Sequence, residues 1–161
     1  MNIFVLDKDP RIAAQMMCDK HVVKMILESA QMLCTAHREL QPEHDVPDVF
    51  YKSTHKNHPS SKWVRQGIWH YRWLYQHFCA LCDEYTYRYG KKHLTDTKLR
   101  DLLFHPPRNI RHFAWFDPPP QCMPEEYQCD DTVEAYRNYY KKEKADFAKW
   151  TKRNEPEWWS E

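Results

Sequence analysis

From Pro10 to about Glu39 polar and apolar side chains recur at steps of three and four, the period of an α-helix, and no other feature restricts the fold as much. Val22, Ile26, Ala30, Leu33 and His37 form a mostly apolar stripe that must face a core. His21, Lys24, Glu28, Gln31 and Thr35 form a polar stripe beside it. Asp9 followed by Pro10 is an N-cap with proline at the first helical position, and the pattern can break near Cys18 and Asp19, where a second cap is possible. A second helical pattern covers about residues 60–89, with Val64, Ile68, Tyr75, Cys79 and Cys82 on its core face and Gly90 placed to end it.

The remaining segments complete a helical plan. Residues 2–6, NIFVL, read as a short strand or an extended arm packed on the core, and QPEHDVPDVF reads as a loop. TKLRDLLF predicts a short helix capped at Thr95 or Asp96. DTVEAYRNYYKKEKADFAKW predicts the last helix, with Val133, Tyr136, Tyr140, Phe147 and Trp150 inward. Residues 105–130 are proline-rich but too aromatic for a flexible linker, so they should wrap the body in ordered form. The expected fold is mainly α: a single compact helical domain over residues 1–161, with two long antiparallel helices, a C-terminal helix and a Pro-rich wrapping segment.

Composition removes several functions. The two glycines, Gly67 and Gly90, lie in no GxGxxG or GxxxxGK pattern, so glycine-rich phosphate cradles are excluded. With 24 Lys and Arg against 23 Asp and Glu, the net charge is +1, and a nucleic-acid site has to be a local basic patch. The N-terminal apolar run stops at Asp7, too short for a signal peptide or membrane span, so a cytoplasmic protein without a membrane partner is expected. Cys79 and Cys82 have a metal-knuckle spacing but no second ligand pair at zinc-finger distance; zinc and buried reduced thiols are the two readings. No cofactor is expected, and no feature of the chain specifies an oligomeric state.

Three groups of residues carry chemistry. The polar stripe offers an amine, a carboxylate and an imidazole in Lys24, Glu28 and His21, although Lys24 and Glu28 can also be an ordinary exposed i,i+4 pair. THKNHPSSKWVR, residues 54–65, brings His55, Lys56, His58, Lys62 and Arg65 to the start of a helix, whose free N–H groups and dipole favour phosphate; the plain reading is a solvated loop capped by Ser60. His70, His77 and Glu84 recur every seven residues, with Arg88 four further on. If the long helices pack antiparallel, the two stripes can converge on one polar pocket, and His21, His70, His77 and Glu84 then offer ligands for a divalent ion in a metal-dependent hydrolase. A non-enzymatic protein-binding module anchored by Trp158 and Trp159 is a further alternative. Tyr and Trp at helical spacing read as core or as a base-stacking platform.

MNIFVL, the Glu28 helix, HKNHP and a helix ending in EYTYRYG resemble, in order and approximate spacing, the small pyrimidine-dimer DNA glycosylases of the endonuclease V-like group, over about residues 1–93. The chain is also similar to small proteins of large tailed phages, which implies action in the host cytoplasm. The resemblance implies DNA as the substrate and a glycosylase/lyase reaction: an amine attacks C1′ of the damaged nucleotide, forms an imine with the assistance of a glutamate, and β-elimination cuts the strand. Glu28 takes the place of that glutamate and the N-terminal amine that of the nucleophile. An α-amine suits the role because its unperturbed pKa of about 7.7–8.0 leaves a neutral fraction near pH 7. Asn2 is not a small residue that favours removal of Met1, so the amine is assigned to Met1, with Lys24 as second candidate. His21, His55, Lys56, His58, Lys62, Arg65 and Arg88 are the candidates for binding phosphate or orienting the sugar. The near-neutral charge departs from the more basic character usual for such enzymes.

Overall fold

The computed structural model describes residues 1–161 and is all-helical. Six α-helices follow in chain order: α1 (Pro10–Met16), α2 (Asp19–Leu40), α3 (Pro59–Gln66), α4 (Ile68–Tyr89), α5 (Leu94–Leu103) and α6 (Thr132–Glu143), with short 3-10 turns at Glu43–Asp45, Glu125–Tyr127 and Glu157–Ser160. The two long helices are antiparallel. Near the C-terminal end of α2, His37 Nε2 lies 2.9 Å from the Tyr71 hydroxyl in the first turn of α4, while Arg88 in the last turn of α4 reaches Asp19 at the start of α2, 3.0 Å away. Val22, Ile26, Ala30 and Leu33 from α2 and Tyr71, Leu74, Phe78 and Leu81 from α4 meet in one core, which Leu99, Leu103, Tyr136, Tyr140 and Trp158 extend. The α4 core face is therefore centred one position away from the predicted one: Tyr75 and Cys79 sit at its margin. No helix is long and apolar enough to cross a membrane.

The predicted break between α1 and α2 occurs at Met17 and Cys18, and tertiary hydrogen bonds explain it. Cys18 N–H donates to the Tyr140 hydroxyl and Asp19 N–H to the Lys149 carbonyl, so two donors that an unbroken helix would use internally point to the C-terminal part of the chain. The first six residues form an extended arm rather than a strand, with Ile3 to Leu6 buried.

Three boundaries differ from the sequence expectation. The helix over 60–89 is divided at Gly67, whose backbone is extended, because Ile68 N–H donates to the Arg111 carbonyl and the Trp115 ring lies over the glycine. The cap of α5 is the side chain of His93, which accepts from Thr95 N–H, two to three residues earlier than the residues chosen from sequence. The last helix stops at Glu143; Phe147 and Trp150 pack on the core from the turns that follow. Residues 105–130 wrap as expected. Trp63 Nε1–H donates to the Asp117 carbonyl, and the Tyr136 hydroxyl donates to the Pro120 carbonyl, fixing the segment to α3 and α6.

Candidate active site

The N-terminal arm, α2 and α3 bring part of the predicted set together. His58 caps α3 by accepting Ser60 N–H at Nδ1, 3.1 Å away, and Pro59 occupies the first helical position, where its missing N–H costs nothing. The same Ser60 donates its hydroxyl to the Met1 carbonyl at 3.3 Å, and the Ser61 hydroxyl points at the Met1 sulfur. Met1 is thus tied to the first turn of α3, with its α-amine near His58. Burial, then this amine, then His55 hold His58 below the ordinary imidazole range.

Three residues further along the arm, Phe4 stacks on His21 of α2, ring centroids 4.5 Å apart. Tyr140 and Phe147 close the other sides edge-on. Burial, reinforced by Lys144, Lys24 and Lys20, pulls the His21 pKa down to about 3, so the ring is neutral near pH 7. Its Nδ1 is buried without a hydrogen-bond partner.

Two turns along the same stripe, Glu28 is 17% exposed, and its Oε2 accepts no hydrogen bond although it is buried; Lys24 Nζ stands 3.8 Å away, its own side chain 64% exposed. Asn2 Oδ1 is a third buried acceptor without a donor. Unsatisfied buried polar atoms cost free energy, of the order of 1–3 kcal/mol each. Three of them on the arm and the neighbouring face of α2 mark a place where the fold accepts such a cost.

The 54–65 loop carries the predicted cations at its surface. His55 has a positive φ of 49° and shares a hydrogen bond with Thr54, Lys62 is exposed, and Lys56 Nζ is 4.0 Å from Glu39. Arg65 uses one terminal nitrogen on the Lys56 carbonyl, bracing the loop, while the other, Nη1, is buried without an acceptor.

The α4 stripe does not join this site. His70 Nδ1–H donates to the Trp63 carbonyl while Nε2 accepts Asp117 N–H; His77 Nδ1–H donates to the Pro10 carbonyl; Glu84 binds Arg88 and Arg153. Each faces a different neighbour, and no three His, Cys, Asp or Glu side chains, Cys79 and Cys82 included, are grouped so as to hold a metal ion. Arg88, chosen from sequence as a phosphate ligand, is fully buried and uses all five of its N–H donors on Glu84, Asp19 and the Met17 and Gln15 carbonyls. It fastens α4 to the end of α1 and has no donor left for DNA.

Sequence reasoning missed Ser60 and Ser61 as tethers of Met1, the aromatic enclosure of His21, and Lys20 and Lys144 beside it. The apolar arm was the available signal: a buried N-terminal run draws the first residue onto the body, and only a polar helix start can receive its backbone.

No curated protein and no solved structure matches the chain. The family model described as pyrimidine dimer DNA glycosylase matches residues 1–97, the segment that contains the arm, α2, the 54–65 loop, α3 and α4. With that match over more than half of its length, the chain belongs to the pyrimidine dimer DNA glycosylase family.

Proposed function

We propose that the protein excises the base from dimer-damaged DNA by attack of the Met1 α-amine on the sugar, with Glu28 moving the protons, and that it then opens the strand as a lyase. One observation carries this reading: Met1 is tethered to the first turn of α3, while Glu28 holds a buried oxygen with no hydrogen-bond donor on the helix packed against α3. A carboxylate oxygen that accepts no hydrogen bond is free to exchange a proton with substrate. Lys24 is a weaker candidate, because an amine on lysine needs desolvation to be neutral near pH 7 and this side chain is mostly in solvent.

The amine lone pair forms a bond to C1′ while the glycosidic C–N bond breaks and the base leaves with that electron pair and a proton. Opening of the sugar ring transfers a proton to O4′ and leaves an imine. Loss of a C2′ proton to a base then expels the 3′ phosphate, and water hydrolyses the imine to return the amine. Protonation of the base or O4′ and removal of the C2′ proton are the steps for Glu28. Lys56, His55, His58, Lys62 and Arg65 serve the flanking phosphates from the loop at the start of α3, while His21, neutral and walled by aromatic rings, orients the sugar.

Borohydride reduction during reaction with pyrimidine-dimer duplex should trap a protein–DNA adduct whose peptide starts at Met1. Glu28→Gln should lower turnover by at least about 10²-fold with binding to intact duplex largely retained. A trapped peptide containing Lys24 instead overturns the assignment of the amine. Absence of both cleavage and adduct on dimer, abasic, uracil and alkylated substrates overturns the reaction.

A further inference from the structure

Outside the family-matched segment, residues 111–117 hold three large rings in solvent on a fixed backbone. Phe113 is 54% exposed, Phe116 45% and Trp115 38%, and Trp69 at the start of α4 adds a fourth ring at 46%. Both ends of the segment are latched to the helices. The Arg111 carbonyl accepts Ile68 N–H at 2.8 Å, and Asp117 N–H donates to His70 Nε2 at 3.0 Å while its carbonyl accepts Trp63 Nε1–H at 2.9 Å. Between the latches the Trp115 ring covers Gly67, and Phe116 meets the edges of Trp63 and His70. Exposed apolar side chains gathered at one place mark an interaction surface.

The chemistry around the rings selects the partner. Arg72 lies over Trp69, 5.3 Å from the ring centroid, and Arg111 over Phe113, 6.0 Å away. Asp117 is the only carboxylate among residues 105–124, which also carry His105, Arg108, Arg111 and His112. Arg108 is paired with Asp45, which leaves Arg72 and Arg111 as the guanidinium groups over the rings. Flat rings interleaved with guanidinium groups fit stacked bases and the phosphates between them.

Position agrees with that partner. The first turn of α3 holds Met1, and its last residue adjoins Gly67 under the aromatic segment. The eight residues of α3 span about 12 Å, the length of about three or four nucleotide steps. We infer that residues 111–116, with Trp69 and Arg72, form a second DNA-contacting surface that stacks on bases about three or four nucleotides from the reacting sugar. This rests on the reading above that DNA lies across Met1 and the start of α3. It assigns a role to a part of the chain that the family match does not reach.

The test measures binding of the full-length protein to a single-stranded oligonucleotide and to a duplex with a stable abasic analogue, by anisotropy over a range of salt concentrations. Phe113→Ser and Trp69→Ala should each weaken binding by roughly 5- to 100-fold with no change in salt slope, and Phe113→Trp should keep the affinity. Arg111→Gln and Arg72→Gln should each reduce the salt slope by about 1. Iodouracil placed at successive positions should cross-link to the 111–116 peptide about three or four nucleotides from the abasic site. Thermal melting of each variant shows whether it is folded. Affinity unchanged in folded ring variants, or cross-links only to other peptides, overturns the inference. Borohydride trapping distinguishes this failure from that of the catalytic reading. Ring variants that lose affinity in a protein that forms no adduct support the surface and remove the imine chemistry; an adduct formed with full affinity by ring variants removes the surface and keeps the chemistry.

Discussion

His77 and His21 make the folded state sensitive to acid. Burial lowers His77 to about 4 and His21 to about 3, and each has a ring nitrogen with no partner to stabilise a second proton. An unfolded imidazole takes up its proton near pH 6.5, so between about pH 6.5 and 4 the unfolded state binds more protons than the native one. Stability is complete above that window and falls as pH drops through it, by up to about 1.4 kcal/mol per pH unit for each such histidine. The melting temperature should therefore decline steadily from pH 7 to 4.5, and His77→Gln should decline less steeply because one of the two coupled groups is gone. A flat wild-type profile over this range would contradict the assignment of neutral buried rings. At this scale Glu28 was readable, because its place on a polar stripe depends only on the helical period. The enclosure of His21 was not, since Tyr140 and Phe147 reach it from more than a hundred residues away.

The two glycines separate local from distant control of a helix end. Gly90 is left-handed, with φ +71°, and a Cβ there would meet nothing within 4 Å. Its conformation alone sets the cost, so Gly90→Ala should destabilise by about 1 kcal/mol in chemical denaturation. Gly67 has an extended backbone, and its added Cβ would make ordinary contact with Trp115 at 3.6 Å. Gly67→Ala should then have the smaller effect, and the reverse order would show that Trp115 needs closer approach than the structure indicates. The end of α4 was legible because a left-handed glycine after a helical run is a local stop signal. The break before α4 was not: the helical period runs through Gly67, and the competing hydrogen bond comes from Arg111.

For the molecule as a whole, the family-matched segment is incomplete as a folding unit. Leu99, Leu103, Ile110, Tyr136, Tyr140 and Trp158 belong to the same core as α2 and α4, and the break at Cys18 is held by Tyr140 and Lys149. Arg153 closes the buried Glu84–Arg88 pair from the C-terminal part of the chain. A fragment of residues 1–97 should lack a cooperative thermal transition and bind a hydrophobic dye, whereas the full chain melts cooperatively; a cooperative transition in the fragment would show that the later residues are an addition rather than part of the core. Arg88→Met in the full chain should cost about 3–5 kcal/mol, because it leaves Glu84 and Asp19 charged at a buried junction with fewer partners.

The sequence by itself determined what depends on residues within a turn or two of each other: the helical class, the start at Asp9, the stop at Gly90, and the alignment of Lys24 with Glu28. It also marked the buried arm, because an apolar run of that length has to leave water. Only the tertiary structure decided what each polar stripe meets. On α2 one carboxylate oxygen of Glu28 is buried without a hydrogen-bond donor, whereas on α4 the helical spacing delivers His70, Glu84 and Arg88 to partners in α1, α3 and the later segments that satisfy them, and His77 to the Pro10 carbonyl with its Nε2 left unpaired. Helical periodicity states which side chains share a face. What that face meets is set by contacts between residues far apart in the chain, and those follow from how all the apolar faces are buried together.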